Sequence, residues 1–140
     1  QMHHEDKAGV NAFIRGIDWI ANGQLPAAVI MCTNRLNALD PAIQRRAADI
    51  LTFHRPDTEQ RFLVLNTPLS QLGFSQPQIN SVVGATGPCG DRKYGFTFSD
   101  LTQRLIPAIV LDAYPKQAIT PDRALRVAQG IEPTPPFQEK

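Results

Sequence analysis

The stretch from Ala27 to Leu65 constrains the fold more than any other part of the chain. It opens with Ala27-Ala28-Val29-Ile30-Met31-Cys32, a short uninterrupted apolar run. Runs of that length read as strands buried on both faces, the situation in parallel sheets with helices on either side. The run stops at Thr33-Asn34-Arg35. Leu39-Asp40-Pro41-Ala42 then starts a short helix reaching Arg46, with Asp40 as N-cap and Pro41 at the first helical position. Ile50 to His54 is a second strand candidate. Pro56-Asp57 opens another helix, in which Asp57 caps and Gln60 can close a capping box.

Helical signals dominate the remainder. Val10, Phe13, Ile14, Ile17 and Ile20 or Ala21 follow the i, i+3, i+4, i+7 rule and predict an amphipathic helix from Lys7 to Ala21, ended by Asn22-Gly23. The helix opened at Asp57 is expected to break or restart near Thr67, because Pro68 follows. Ser75-Gln76-Pro77-Gln78 starts a helix toward Gly84, and the glycine-rich Gly84 to Gly95 reads as a loop. Thr97-Phe98-Ser99-Asp100 caps a helix from Leu101 to Tyr114 that Pro107 should kink. Thr120-Pro121-Asp122 starts a last helix to Gln129, and Glu132 to Lys140 reads as a flexible, proline-rich tail. The expected class is mainly α with a small α/β portion, the boundary falling at Pro56.

Composition limits the function classes. Hydrophobic residues make up 42% of the 140 and charged residues 19%, values of a chain with a real core. A net charge of +1 and the lack of an aromatic-basic stripe argue against a nucleic-acid binder. Cys32 and Cys89 sit in no metal-ligand spacing. Cys32 reads as a small buried hydrophobe, and reduced thiols fit a cytoplasmic protein. No apolar stretch approaches the roughly 20 residues that cross a bilayer. The Gln1-to-Asp6 start reads as a solvated edge within a longer protein.

Two places could carry chemistry. Asn34 stands just past the end of a predicted buried strand, where ligands of open α/β sheets bind; its carboxamide can hold a water against a phosphate oxygen, or can simply make a turn. Arg45 and Arg46 close a short helix. Cations there favour the macrodipole, and the guanidinium fork also suits phosphate oxygens. Spacing alone does not choose between these readings.

The ordered series Thr33-Asn34-Arg35, Leu39-Asp40-Pro41-Ala42, Arg45-Arg46, Pro56-Asp57, Arg61 resembles the second half of an AAA+ ATPase core, from the sensor-1 strand through the arginine-finger region into the helical lid. Gly95-Phe96-Thr97-Phe98-Ser99-Asp100-Leu101 is similar to the lid segment whose backbone approaches adenine, with Phe98 and Ser99 standing where Gly and Ala are usual. The resemblance spans residues 7 to 130. It implies that Asn34 is sensor 1, that Arg45 or Arg46 is a finger acting across a subunit interface, that Arg61 is a structural arginine, and that Phe98 and Ser99 border adenine. It divides the chain into a remnant of the α/β subdomain (1–56), a lid bundle (57–131) and a tail (132–140).

The same resemblance implies ATP and Mg²⁺ in the intact parent, a homo-oligomeric, hexameric ring, and remodelling of a protein substrate. Neither a GxxxxGK(S/T) phosphate loop nor an apolar strand ending in Asp-Glu occurs in the sequence. This chain alone is therefore expected to bind no nucleotide or metal and to be inactive. The alternative is a noncatalytic helical interaction module derived from such a lid. In either case the lid should form the stable core. The first 56 residues, with strands that are not neighbours in the family's sheet, should pack irregularly, swap with another copy, or pair strands in a non-parental way.

Overall fold

In the computed structural model, residues 4–23 and 26–136 are described; Gln1–His3 and the end of the expected tail, Phe137–Lys140, lie outside them. The chain divides into two units, one reaching Thr52 and the other running from Phe53 to Pro136. Its class is mainly α. Among the described residues the only β pairing is a single antiparallel bridge, Cys89 to Arg92.

The first unit holds α1 (His4–Asn22), a 3₁₀ turn (Leu36–Ala38) and α2 (Pro41–Gln44). Asp40 caps α2 as its sequence requires, its carboxylate accepting from the Ala42 amide at 2.7 Å. The two predicted strands do not form. Ala27–Cys32 and the segment from Ile50 have no regular structure and join no ladder among the described residues, leaving Ile30 86% and Leu51 73% exposed. The physical reason is that a strand exists only with a partner to take its backbone groups. Cys32, expected to be buried, is exposed for the same reason. Ile43 is the one buried hydrophobic residue described in this unit.

The second unit packs α3 (Thr58–Gln71), α4 (Gln76–Ala85), a helix with a π-helical first part (Asp100–Leu105) continuing as α5 (Ile106–Ala113), and α6 (Pro121–Gly130). Asp57 and Gln60 form the expected capping box, with bonds of 2.8 and 3.1 Å. Helix α3 continues through Pro68 to Gln71 instead of restarting at Thr67. Leu65 and Leu69, both fully buried, sit on either side of the proline. Core packing outweighs the single backbone bond that proline removes so near the helix end. The turn then closes with Gly73 at φ 85° and the Phe74 amide bonded to the Leu69 carbonyl at 3.1 Å.

Pro107 acts upstream of its own position. Its ring would crowd the carbonyl four residues earlier, and the helix widens before it: the Ile106 amide bonds to Leu101 rather than Thr102. The core joins Leu65, Leu69, Ile79, Val82, Phe96, Leu101, Leu105 and Ile109. Ala124 and Ala128, one turn apart and fully buried, let α6 lie close against α4 and α5.

Candidate functional site

The residues expected to serve chemistry fall on both units. Asn34, Arg45 and Arg46 belong to the first, and Phe98 and Ser99 to the second. Asn34 is exposed in the loop after the apolar run, where the Arg35 amide donates to Thr33 Oγ1 at 3.0 Å. Arg45 caps the end of α2 and is exposed.

Arg46 differs from its neighbour. Its Nε and a terminal nitrogen clasp both Asp18 oxygens at 2.7 and 3.0 Å, and another nitrogen bonds the Ala42 carbonyl at 2.9 Å. The hydrogen bonding lowers the Asp18 carboxyl and raises the guanidinium from their ordinary values. The structure thus gives Arg46 an intramolecular partner that ties α2 to α1.

In the second unit, Phe98 and Ser99 open the helix and face solvent, Phe98 with 46% of its surface exposed. Ser99 Oγ bonds Gln103 at 3.2 Å. The turn carrying them is fixed by a reciprocal cap: the Thr97 amide donates to Asp100 Oδ2 at 2.9 Å, and the Asp100 amide to Thr97 Oγ1 at 3.0 Å. Asp100 is fully buried. Burial pushes its carboxyl up, but bonds from the Thr134 hydroxyl, the Thr97 amide, Arg104 and the Thr134 amide outweigh that and hold it well below the usual carboxylate range.

Arginines around this turn, unremarkable in sequence, organise the loop from Thr86 to Thr97. Arg55 donates to the Gly95 and Thr134 carbonyls at 2.8 and 2.6 Å and lies 4.7 Å from the centre of the Tyr94 ring. Arg92 reaches the ends of two helices, bonding Ala85 at 2.7 Å, Ile131 at 3.1 Å and Gln129 at 3.3 Å. Its signal was only that Arg92 lies between two helix ends whose last carbonyls need donors. Arg104 bonds Asp100 and the Glu132 carbonyl at 2.7 and 3.0 Å.

Arg61 is buried, as a structural role requires. It donates to the Pro56 carbonyl at 2.9 Å and Thr58 Oγ1 at 3.0 Å, while its Nε has no partner. Burial lowers its pKa, an effect that Asp57 opposes. No cluster of three or more potential metal ligands occurs among the described residues. None of the described helices is long and apolar enough to cross a membrane.

The expected tail is anchored over its first part. Thr134 bonds Asp100 through its amide and hydroxyl at 3.0 and 2.7 Å, and Pro133 is buried. Proline-rich composition suggested mobility. The unforeseen element was a buried carboxylate needing donors, which the tail supplies.

No family model matches the chain. Among curated proteins, CD-NTase-associated protein 6 of Escherichia coli strain MS 115-1 is 59% identical over all 140 residues, which cover 45% of that protein. The protein of the same name from strain KTE188 is 36% identical over 133 residues, covering 95% of this chain and 44% of that one. A chain in the solved E. coli MS115-1 HORMA:CdnC:Trip13 complex superimposes with a TM-score of 0.93 at 60% identity, over 99% of this chain and 46% of its own length. The solved Rhizobiales Trip13 gives 0.82 at 63% identity, over 92% of this chain and 48% of its own length. The chain spans about half the length of the relatives it matches, 45% of the first of them, and over that half it is similar to CD-NTase-associated protein 6 and to Trip13.

Proposed function

We propose that this chain is a helical protein-interaction module of a Trip13-like machine, working in an assembly with a HORMA protein and a CdnC protein. One observation carries the reading: superposition over 99% of the chain, at 60% identity, on a chain of the HORMA:CdnC:Trip13 complex. The second unit supplies what such a module needs, a rigid bundle whose loop is clamped by arginines to helix ends. Purified chain mixed with the HORMA and CdnC proteins of the E. coli MS115-1 complex should co-elute with at least one of them in size-exclusion chromatography. CD-NTase-associated protein 6 from that strain serves as the positive control. Binding by the control and none by this chain at high micromolar concentration would refute the proposal.

A second reading is favoured by the order of Asn34, Arg45-Arg46, Pro56-Asp57 and Arg61 along the chain. In it the whole protein is a cytoplasmic AAA+ ATPase, assembled as a homo-oligomeric ring, that remodels a protein substrate. ATP with Mg²⁺ would supply the free energy, held by residues this sequence lacks. Asn34, whose exposed carboxamide can both donate and accept, would orient water. Arg45, exposed at the end of α2, would reach a neighbouring subunit's site more readily than Arg46, which Asp18 already holds. Phe98 and Ser99 would border adenine.

A further inference from the structure

The segment after α6 crosses the second unit without regular structure, yet polar contacts hold it along its length. Arg92 bonds the Ile131 carbonyl at 3.1 Å and Arg104 the Glu132 carbonyl at 3.0 Å. Pro133 is buried, and Thr134 donates twice to Asp100. These contacts converge on one place. Asp100 Oδ2 accepts from both the Thr134 and the Thr97 amides, and Arg55 joins the carbonyls of Thr134 and Gly95. Thr134 is therefore linked to both ends of the turn from Gly95 to Asp100. Phe98 and Ser99 project between those fixed ends.

We infer that residues 131–136 form a strap, and that Thr134, through Asp100 and Arg55, is the positioning residue for the Phe98–Ser99 turn. Asp100 alone could cap its helix from solvent with the Thr97 amide. Its complete burial is what requires the strap, because a carboxylate taken out of water needs donors on its remaining lone pairs. The strap thus converts a helix cap, which would fray at a surface, into a fixed platform. The strap is thereby a regulator of the turn: whatever holds or releases it holds or releases Phe98 and Ser99. Its bearing on nucleotide rests on the reading that this turn borders adenine.

Amide hydrogen exchange on the intact chain tests it without nucleotide. Thr134→Val keeps the side-chain shape but removes the 2.7 Å bond to Asp100, whereas Thr134→Ser keeps that bond. In Thr134→Val, exchange at Thr97, Asp100 and Leu101 should rise about tenfold or more, the scale of a buried charged acceptor losing a donor. The Leu65 and Val82 amides, in α3 and α4, should keep their wild-type rates, and Thr134→Ser should match wild type throughout. Arg55→Met, which breaks the second link, should loosen the same three amides. Unchanged exchange there in both variants would overturn the strap, and so would a parallel rise at Leu65 and Val82. Nucleotide titration of a longer form bears on the adenine reading separately, so either idea can fail without the other.

Discussion

Gly87→Ala probes the closest approach to a glycine in the second unit. A Cβ added at Gly87 would lie 2.8 Å from a terminal nitrogen of Arg61 and 3.6 Å from its Cζ. The end of an arginine is usually free to move aside. Here it is not: Arg61 is 5% exposed and bonded to the Pro56 carbonyl and Thr58 Oγ1. If the guanidinium stays, the methyl overpacks a buried site, at a cost of about 1–3 kcal/mol. If it swings away, one buried and one part-buried bond are lost where Nε is already unpaired, a cost of similar size, about 1–3 kcal/mol.

An opposing contribution comes from the unfolded chain. Replacing glycine with alanine reduces unfolded-state entropy and stabilises by roughly 0.4–1 kcal/mol where the backbone is compatible. Gly87 has no left-handed φ, so backbone strain does not enter. The net loss expected for Gly87→Ala is about 1–2 kcal/mol, a fall in Tm of roughly 4–8 °C per kcal/mol for a domain of this size. In an Arg61→Met background the clash is gone and only the entropic part remains. There the same substitution should stabilise by roughly half a kcal/mol, a reversal of sign. Urea denaturation of wild type, both single variants and the double variant measures the coupling. Equal effects of Gly87→Ala in the two backgrounds would refute the contact as its cause.

A polypeptide of residues 53–136 should unfold cooperatively with dispersed amide signals, whereas residues 1–52 should lack both. The basis is that Ile43 is the one buried hydrophobic residue described before residue 53, while the continuous cluster lies after it; a cooperative transition in the shorter piece would contradict this. Because Asp100 is held below its unfolded value of about 3.9, it adds stability above that pH which declines as pH falls toward its folded value, by at most about 1.4 kcal/mol per pH unit. Asp100→Asn should be less stable at neutral pH and should show a shallower loss between about pH 4 and pH 2; an unaltered slope would mean that Asp100 does not drive acid sensitivity. In a longer form carrying a phosphate-binding half, mixed with subunits whose phosphate loop is disabled, Arg45→Ala should lower ATPase activity more than Arg46→Ala. The reverse order would assign the finger to Arg46 despite its clasp on Asp18.

Helix starts were the most legible part of this chain. Asp40-Pro41, Asp57 with Gln60, Ser75 with Gln78, Thr97 with Asp100, and Thr120 all mark real helix ends, because capping is decided within four residues of chain. Pro68 and Pro107 were legible only as disturbances. Whether a proline breaks, bends or widens a helix depends on what the neighbouring side chains bury, here Leu65 and Leu69 in one case and Leu101 and Leu105 in the other. The strands failed for the opposite reason to the caps. Periodicity identifies a segment suited to a sheet, but the pairing that makes it a strand comes from residues distant in sequence or outside it.

The candidate site divides along the same line. Asn34, Arg45 and Arg46 stand out as candidates by their order along the chain, yet only the fold separates the two arginines, one clasped by a carboxylate twenty-eight positions earlier. The arginine clamp and the strap left almost no local signal, since most bonds in them join a side chain to a carbonyl or amide far along the chain. Backbone carbonyls carry no sequence identity, so no residue pattern advertises them as partners. A buried acid is the exception. Asp100 follows Thr97 at capping-box spacing and precedes Arg104 by one turn, so sequence supplies an amide on one side and a guanidinium on the other. A carboxylate buried fully needs more than these, and the missing donors had to come from elsewhere in the chain. Counting unfilled lone pairs in this way would have turned the proline-rich tail from expected slack into a search for a donor, and Thr134 is the threonine that meets it.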